Sequence, residues 1–219
     1  MGSAFEFIFS SANWSGQDGI GERLGTHLWV SFTALLAAGL LAVPIGLVLG
    51  HLRRGRVLAV AVANLTRAIP SLAVLAFVVA AGWGIGFRPT WIAMIALAVP
   101  PLFIGALVGV SEVDDAVIDS ARGLGMRGWQ TLWNAELPLA TPLLMSGLRV
   151  AASQVIATAT LGAFVGYNTL GRFITVGRAN GDDPMLYGGV VVIVATALVI
   201  DSALRLASRR SLRWRKSEQ

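Results

Sequence analysis

Five long apolar segments alternate with short polar stretches along the 219-residue chain, and they constrain its fold more than any other feature. They cover residues 28–50, 58–83, 90–110, 139–166 and 185–207. Each reaches the ~20 residues that a helix needs to cross the hydrocarbon core of a bilayer, where every backbone hydrogen bond must be closed internally. The sequence therefore predicts an all-α membrane protein with about five transmembrane helices.

Prolines inside two of these segments leave an alternative open. Pro70 interrupts the second segment, so two short helices meeting inside the membrane would replace one long helix and give six spans. Pro100 and Pro101 are expected to break the third segment in a similar way. Broken helices often line the translocation paths of transporters.

Composition excludes several other classes of protein. Hydrophobic residues make up 55% of the chain and charged residues only 13%, against roughly 25% in soluble domains. The chain has no cysteine, so it has no disulfide framework and no thiolate metal site. No catalytic set of side chains or metal-ligand spacing indicates an enzyme. The net charge of +5 lies in clusters beside apolar segments, which is typical of contact with a lipid membrane and not with nucleic acid.

The distribution of basic residues predicts the orientation. Four basic residues flank the spans on one side, at Arg23, Arg88, Arg172 and Arg178, and a much larger group flanks them on the other. That group contains Arg53, Arg54, Arg56, Arg122, Arg127, Arg205, Arg209, Arg210, Arg213, Arg215 and Lys216. The positive-inside rule puts the N-terminus outside and the C-terminus in the cytosol, as five crossings require. Residues 1–26 are then an external N-terminal segment and 208–219 a cytosolic basic tail.

A polar, helix-forming insert, residues 111–138, separates the third and fourth apolar segments and falls on the predicted cytosolic side. Ser111 is the expected N-cap of its helix, with Asp114 three residues on, and Gly123 and Gly125 are expected to loosen or end that helix. Helical spacing predicts an apolar face of Val113, Ala116, Val117, Ala121 and Leu124. A second amphipathic piece contains Trp129, Leu132 and Trp133, and Pro138 marks the entry to the fourth span. One interpretation is a helix lying on the membrane surface, and another is a contact for a partner protein.

The insert resembles the signature of permease subunits of ATP-binding-cassette importers of type I. That signature reads Glu-Ala-Ala, three residues, Gly, nine residues, Ile, one residue and Leu-Pro. Here Asp119-Ser120-Ala121 is followed at the same spacing by Gly125, Ala135 and Leu137-Pro138. The departures are Asp for Glu, Ser for the first Ala and Ala135 for Ile.

The resemblance implies that the insert forms a coupling helix that docks on an ATPase subunit. The residues implied in that contact are Asp119, Ser120, Ala121, Arg122, Gly125, Leu137 and Pro138. The only lysine is Lys216, in the tail, so the chain lacks a lysine-containing phosphate-binding loop. ATP and Mg²⁺ are therefore expected on a separate ATPase chain, and no cofactor is expected on this one.

The resemblance also implies the assembly. Residues 1–219 would form a single transmembrane permease domain in a bacterial inner membrane. Its expected partners are two ATPase subunits, a second permease subunit, identical or homologous, and an extracytoplasmic substrate-binding protein.

Other stretches resemble one branch of this family, the permeases for glycine betaine, choline, carnitine and proline betaine. They are His27–Ser31, Asn64–Ser71, Ala121–Met126, Trp129–Trp133 and Gln154–Leu161, followed by Gly166 and Leu170-Gly171. The chain departs from the branch at Tyr167-Asn168-Thr169, where glycines are usual. The implied cargo is a quaternary ammonium osmoprotectant. An amino-acid permease, such as one for methionine, is the alternative, and an ion-driven transporter or channel is a more distant one.

Polar side chains inside the spans are candidates for a pathway or gate. Arg67 lies deep in the second segment, near Asn64 and Pro70, and an unpaired charge there costs at least ~2.5 kcal/mol. It either lines the pathway or satisfies backbone carbonyls that Pro70 leaves free. Gln154 and Thr158 lie on the fourth segment, where they either face the pathway or bond a neighbouring helix.

Overall fold

A computed structural model describes residues 2–211, with the side chains at 2–3, 56, 65–68 and 209–211 left out. These residues contain α-helices joined by turns and no β-strand. The helices are α1 Gly2–Phe9, α2 Ile20–His51, α3 Arg56–Ala68, α4 Ser71–Val78, α5 Phe87–Ser111, α6 Asp115–Gly123, α7 Gly128–Thr131, α8 Leu137–Leu161, α9 Gly171–Asn180 and α10 Asp183–Ser211. The side chain of Arg67 and most of the predicted basic tail, 208–219, lie outside the described residues.

Four helical segments of the described chain are long and apolar enough to cross a membrane. They are Ile20–His51, Phe87–Ser111, Gly128–Val165 and Asp183–Ser208, and they correspond to the first, third, fourth and fifth predicted spans. The all-α prediction is confirmed. Over 58–83, where the sequence left one span or two short helices open, the backbone leaves the helix at Ile69 and Pro70.

The three prolines that were expected to break helices behave differently. Pro70 has an extended conformation and precedes α4, which is the broken arrangement that the sequence left open. Pro100 and Pro101 do not break α5, so that expectation is wrong. Each proline removes one backbone hydrogen bond, but α5 stays helical from Phe87 to Ser111.

The described helices form two compact units. The first, which we call the N-terminal unit, contains residues 1–36, 69–97 and 152–201. Its core is Ile20, Leu170, Phe173 and Val192. The helix that contains the first predicted span already begins at Ile20, and near that start the side chain of Arg23 is buried in this unit. Its guanidinium lies 2.7 Å from the Asp18 carboxylate and 4.5 Å from the centre of the Phe173 ring.

The second unit, which we call the insert unit, contains 37–68, 98–151 and the described part of 202–219. Within it α5 and α8 approach closely through glycine. A Cβ added at Gly147 of α8 would lie 2.5 Å from the carbonyl oxygen of Pro101 and 3.1 Å from the Cα of Gly105. Small residues at such crossings let backbones pack in direct contact, which drives helix association in membranes. The prediction that 1–219 form one permease domain stays a prediction.

Replacing Gly147 by alanine tests this close approach. The new Cβ would clash with the Pro101 carbonyl, and overpacking of this kind costs about 1–3 kcal/mol. We expect a lower midpoint of thermal unfolding for the purified protein in detergent, although alanine favours a helix by ~1 kcal/mol over glycine. Gly39→Ala in α2 is the matched control, because its Cβ would meet nothing within 4 Å. Equal midpoints for the two variants would contradict the packing described above.

Candidate functional site

The helix of the insert begins three residues later than the sequence predicts. Ser111 is the last residue of α5, and its hydroxyl donates to the carbonyl of Val108. Asp114 is the N-cap of α6, and its carboxylate accepts the backbone N–H of Ala116 at 2.9 Å. The prediction of Ser111 as N-cap is wrong, because the α5 ladder continues through it and the side chain bonds backward. Asp114 satisfies one of the N–H groups that a helix start leaves open.

The faces of α6 also differ from the predicted pattern. Ile118, 5% exposed, and Ala121, 5% exposed, form its buried side together with Val113 just before the helix. Of the predicted apolar face, Val113 and Ala121 are buried, whereas Val117 and Leu124 are exposed, Leu124 by 80%. Because α6 begins at Asp115, its buried face is rotated relative to the predicted apolar face, and Ile118 lies on the buried side. The side opposite Ile118 consists of small or polar residues, all exposed: Ala116, Asp119, Ser120 and Gly123.

Gly125 ends α6 through a defined backbone motif. The N–H of Gly125 donates to the carbonyl of Arg122, and the N–H of Met126 donates to the carbonyl of Ala121. This pair of bonds is the Schellman motif, which needs a left-handed residue at the position of Gly125. Its φ is +80°. The four-residue spacing between Ala121 and Gly125 is therefore the spacing that closes the helix, with Arg122 exposed between them.

Leu137 and Pro138 lie inside a continuous helical run and not at its start. A π-helical turn, Leu132–Glu136, joins α7 to α8, and the N–H of Leu137 donates to the carbonyl of Leu132 five residues back. Pro138 has no N–H to give to the carbonyl four residues before it, so the wider turn absorbs the irregularity. The helical run that contains the fourth predicted span thus begins at Gly128, before Pro138, and entry to the membrane at Pro138 stays a prediction.

The remaining insert packs under α6. α6 contacts both α7 and the π turn. At the start of α7, the Gln130 side chain accepts the backbone N–H of Arg127. Thr131 is buried. Trp129 and Trp133 are exposed. The insert therefore presents an outer surface of small, polar and aromatic residues above a packed base.

Sequence reasoning missed the contacts that His51 and Arg53 make with the insert. Nδ1 of His51, at the end of α2, lies 2.7 Å from Oε2 of Glu136, which is 1% exposed. Arg53, three residues before α3 begins, contacts Ser111, Val113 and Asp115. The only local sign of the His51–Glu136 pair in the sequence is that Glu136, a charged residue, directly precedes Leu137-Pro138 in an apolar stretch. Its partner is 85 residues away, and no spacing rule connects them.

The candidate pathway residues fall in both units. Asn64 is exposed on α3 in the insert unit, and Pro70 is exposed at the start of α4 in the N-terminal unit. Gln154 and Thr158 lie one turn apart on α8, where the buried Thr158 hydroxyl donates to the Gln154 carbonyl at 2.8 Å. The hydroxyl is thereby satisfied within its own helix. A pathway role for Asn64, Arg67, Pro70, Gln154 and Thr158 stays a prediction.

Comparison with known families identifies the kind of protein to which this insert belongs. Residues 42–213, which include the whole insert, match the model of the binding-protein-dependent transport system inner membrane component. The chain belongs to this family of permeases. It is a multi-pass membrane protein, and four helical segments of its described residues are long and apolar enough to span a membrane.

Relatives of this permease are similar over most of their length. The glycine betaine/carnitine/choline transport system permease protein OpuCB of Bacillus subtilis is 31% identical, with 86% of each chain covered. The carnitine transport permease protein OpuCB of Listeria monocytogenes is 35% identical over 81% of each chain. The osmoprotectant import permease protein OsmY of Salmonella typhimurium is 31% identical over 87% of this chain and 80% of its own.

Solved structures agree with the fold. The inward-facing MetNI methionine ABC transporter, in its CY5 native crystal form, matches with a TM-score of 0.75 at 20% identity, covering 89% of this chain and 96% of that one. At this identity the match shows that the permease shares the fold of that chain.

Two glycines at the end of α6 provide a matched test of the Schellman motif. Gly123 and Gly125 would both accept a Cβ without a contact within 4 Å, but only Gly125 has a positive φ. Gly125→Ala should therefore strain the backbone by about 1–2 kcal/mol, whereas Gly123→Ala should favour the helix by ~1 kcal/mol. Amide hydrogen exchange of 115–125 is the measurement, and it should become faster in Gly125→Ala and slower in Gly123→Ala. Similar exchange in both variants would contradict the motif.

Proposed function

We propose that the chain is the permease subunit of an ATP-driven, binding-protein-dependent importer for quaternary ammonium osmoprotectants. The carrying observation is similarity over more than four-fifths of the chain to permeases named for glycine betaine, carnitine and choline transport. The methionine transporters match at 20% identity, which supports only a common fold. Methionine is therefore the second cargo to test.

The coupling role rests on the exposed side of α6. Asp119 and Ser120 are exposed there, and Ala116 and Gly123 leave the backbone open to close approach. Ala121 faces inward and supports the helix, and Gly125 fixes its end. A short helix with a rigid base can pass a rigid-body movement from one subunit to another. We propose that Asp119 offers its carboxylate to a basic group on an ATPase subunit, which binds ATP and Mg²⁺.

The assembly follows from this role. Two ATPase subunits would engage two permease subunits, identical or homologous, and an extracytoplasmic binding protein would deliver the cargo. The insert would lie in the cytosol, with the N-terminus outside and the C-terminus inside, as the excess of basic residues on the insert side favours. Transport would proceed by alternating access, biased by ATP and by the loaded binding protein.

Cargo is tested by uptake in proteoliposomes that contain the complete complex. We expect ATP-dependent uptake of labelled glycine betaine, choline or carnitine, inhibited by the unlabelled compounds and not by methionine. Preferential uptake of methionine would replace the proposed cargo with the alternative. Uptake by this chain alone without ATP would show an ion-driven transporter or channel, and the proposed coupling would then be wrong.

A charge reversal at Asp119 tests the coupling surface. In Asp119→Arg, repulsion from a basic group on the ATPase should lower uptake per ATP hydrolysed by about tenfold or more, because a like-charge contact in an interface costs several kcal/mol. Asp119→Glu, which introduces the residue usual in the family, should retain transport. Glu112→Arg is the control for charge alone, since Glu112 is exposed outside α6. Unchanged uptake and hydrolysis in Asp119→Arg would count against contact at this position.

A further inference from the structure

One short segment at the end of α2 holds both ends of the insert. The segment is His51–Arg53, and it contacts the start of the insert through Arg53 and the end of the insert through His51. All of these residues belong to the insert unit. We propose that His51, Arg53 and Glu136 are positioning residues that fix α6 to α2, a role that rests on the proposed coupling function.

The first tie joins His51 to the end of the insert. Glu136 is almost fully buried, and the His51 imidazole is its partner at 2.7 Å. A buried carboxylate without a hydrogen-bond partner is strongly unfavourable, so the pair holds the π turn against α2. Gly128 lies against the same imidazole, because a Cβ there would be 3.3 Å from Nε2 of His51. The imidazole therefore contacts α7 as well as the π turn.

The second tie joins Arg53 to the start of the insert. Its guanidinium donates to the carbonyls of Ser111 and Val113 and to the carboxylate of Asp115, which lies 3.1 Å away. Carbonyls at the end of a helix such as α5 have no partner within the helix, and the planar fork of arginine can serve several acceptors together. One side chain thus joins the end of α5 to the first residue of α6.

Arg53 is the left-handed residue of a Schellman motif that ends α2: its N–H donates to the carbonyl of Gly50, and the N–H of Arg54 donates to the carbonyl of Leu49. Its φ is +53°, and among the described residues other than glycine it alone has a positive φ. Such a conformation is unfavourable for a side chain with a Cβ and persists only where the surroundings impose it. Here the end of α2 imposes it, and from that position the Arg53 guanidinium donates to three acceptors of the insert. The neighbouring Arg54 is exposed and provides a natural comparison.

The two ties together hold the insert, and α6 within it, against the end of α2. The start of the insert is 58 to 62 residues away from Arg53 in the sequence, and its end is 85 residues away from His51. Both are held within three consecutive residues. A displacement of α6 by an ATPase would therefore be passed into α2, in addition to α5 and α8, which are continuous or nearly continuous with the insert.

Arg53→Ala and Arg54→Ala form the matched pair for a test in the complete complex. We expect Arg53→Ala to keep ATP hydrolysis but to lower uptake per ATP by about tenfold, since the charge-assisted bonds that position α6 are lost. Arg54→Ala should resemble the wild type. Arg53→Lys, which keeps the charge without the fork, should not restore coupling. Equal coupling in a well-assembled Arg53→Ala and in Arg54→Ala would overturn the proposal.

The His51–Glu136 pair is tested by a double-mutant cycle, which also covers failure of Arg53→Ala to assemble. Glu136→Gln and His51→Ala should each reduce uptake per ATP, and the double variant should lose no more than the worse single variant, because both changes remove the same contact. Fully additive losses, or no loss in assembled complexes, would contradict the tie. Glu112→Gln is the control for loss of an exposed carboxylate in the insert.

Hydrogen exchange separates this proposal from the proposed function. Amides of 115–123 should exchange about tenfold faster in Arg53→Ala than in Arg54→Ala, whatever the complex transports, because α6 loses its fixed start. If the wild-type complex shows no ATP-driven uptake while this difference is present, the proposed function fails and the positioning of α6 by α2 stands. Equal exchange in both variants would overturn the positioning role itself.

Discussion

The need to satisfy the backbone N–H and C=O groups at the ends of helices governs the insert of this permease. Helices pair these groups along their length but leave carbonyl and N–H groups open at each end and at each break. The informative chemistry of the described chain lies at such places. Asp114 caps the start of α6, Gly125 closes its end, and Arg53 serves the open carbonyls after α5. In the insert, each of these residues satisfies backbone groups that a helix end leaves without a partner.

The way in which α6 ends also explains the spacing of the signature that the sequence shares with importer permeases. Gly125 stands four residues after Ala121 because a Schellman turn requires a left-handed residue there. Ala121 faces inward and is small enough for α6 to pack on its base. Asp119 and Ser120 are then left on the exposed side. The spacing therefore encodes the shape of a helix end, and the exposed positions within it are free to suit a partner.

The sequence predicted the features that depend on local order and missed those that depend on distant contacts. Apolar length identified four spans, and Pro70 indicated the break in the second segment. The N-cap was misplaced to Ser111 because residue type alone cannot tell where the α5 ladder stops. Pro100 and Pro101 were expected to break α5, yet it remains helical. The His51–Glu136 pair joins residues too far apart in the sequence for any periodicity to reveal.

Docking and force transmission, the two parts of the proposed coupling, depend on different contacts: docking on residues close in the sequence, transmission on residues far apart. The docking that we propose needs only exposed side chains on one short helix, and α6 has such side chains within its nine residues. The transmission that we propose needs the insert to be held at both ends, since an insert anchored at one end would pivot under load. Charge-assisted bonds suit this purpose because they are directional and short, and a buried partner such as Glu136 cannot exchange its bond for one to water. The contacts of His51 and Arg53 thus hold the two ends of the insert, and Arg53 binds the first residue of α6 directly.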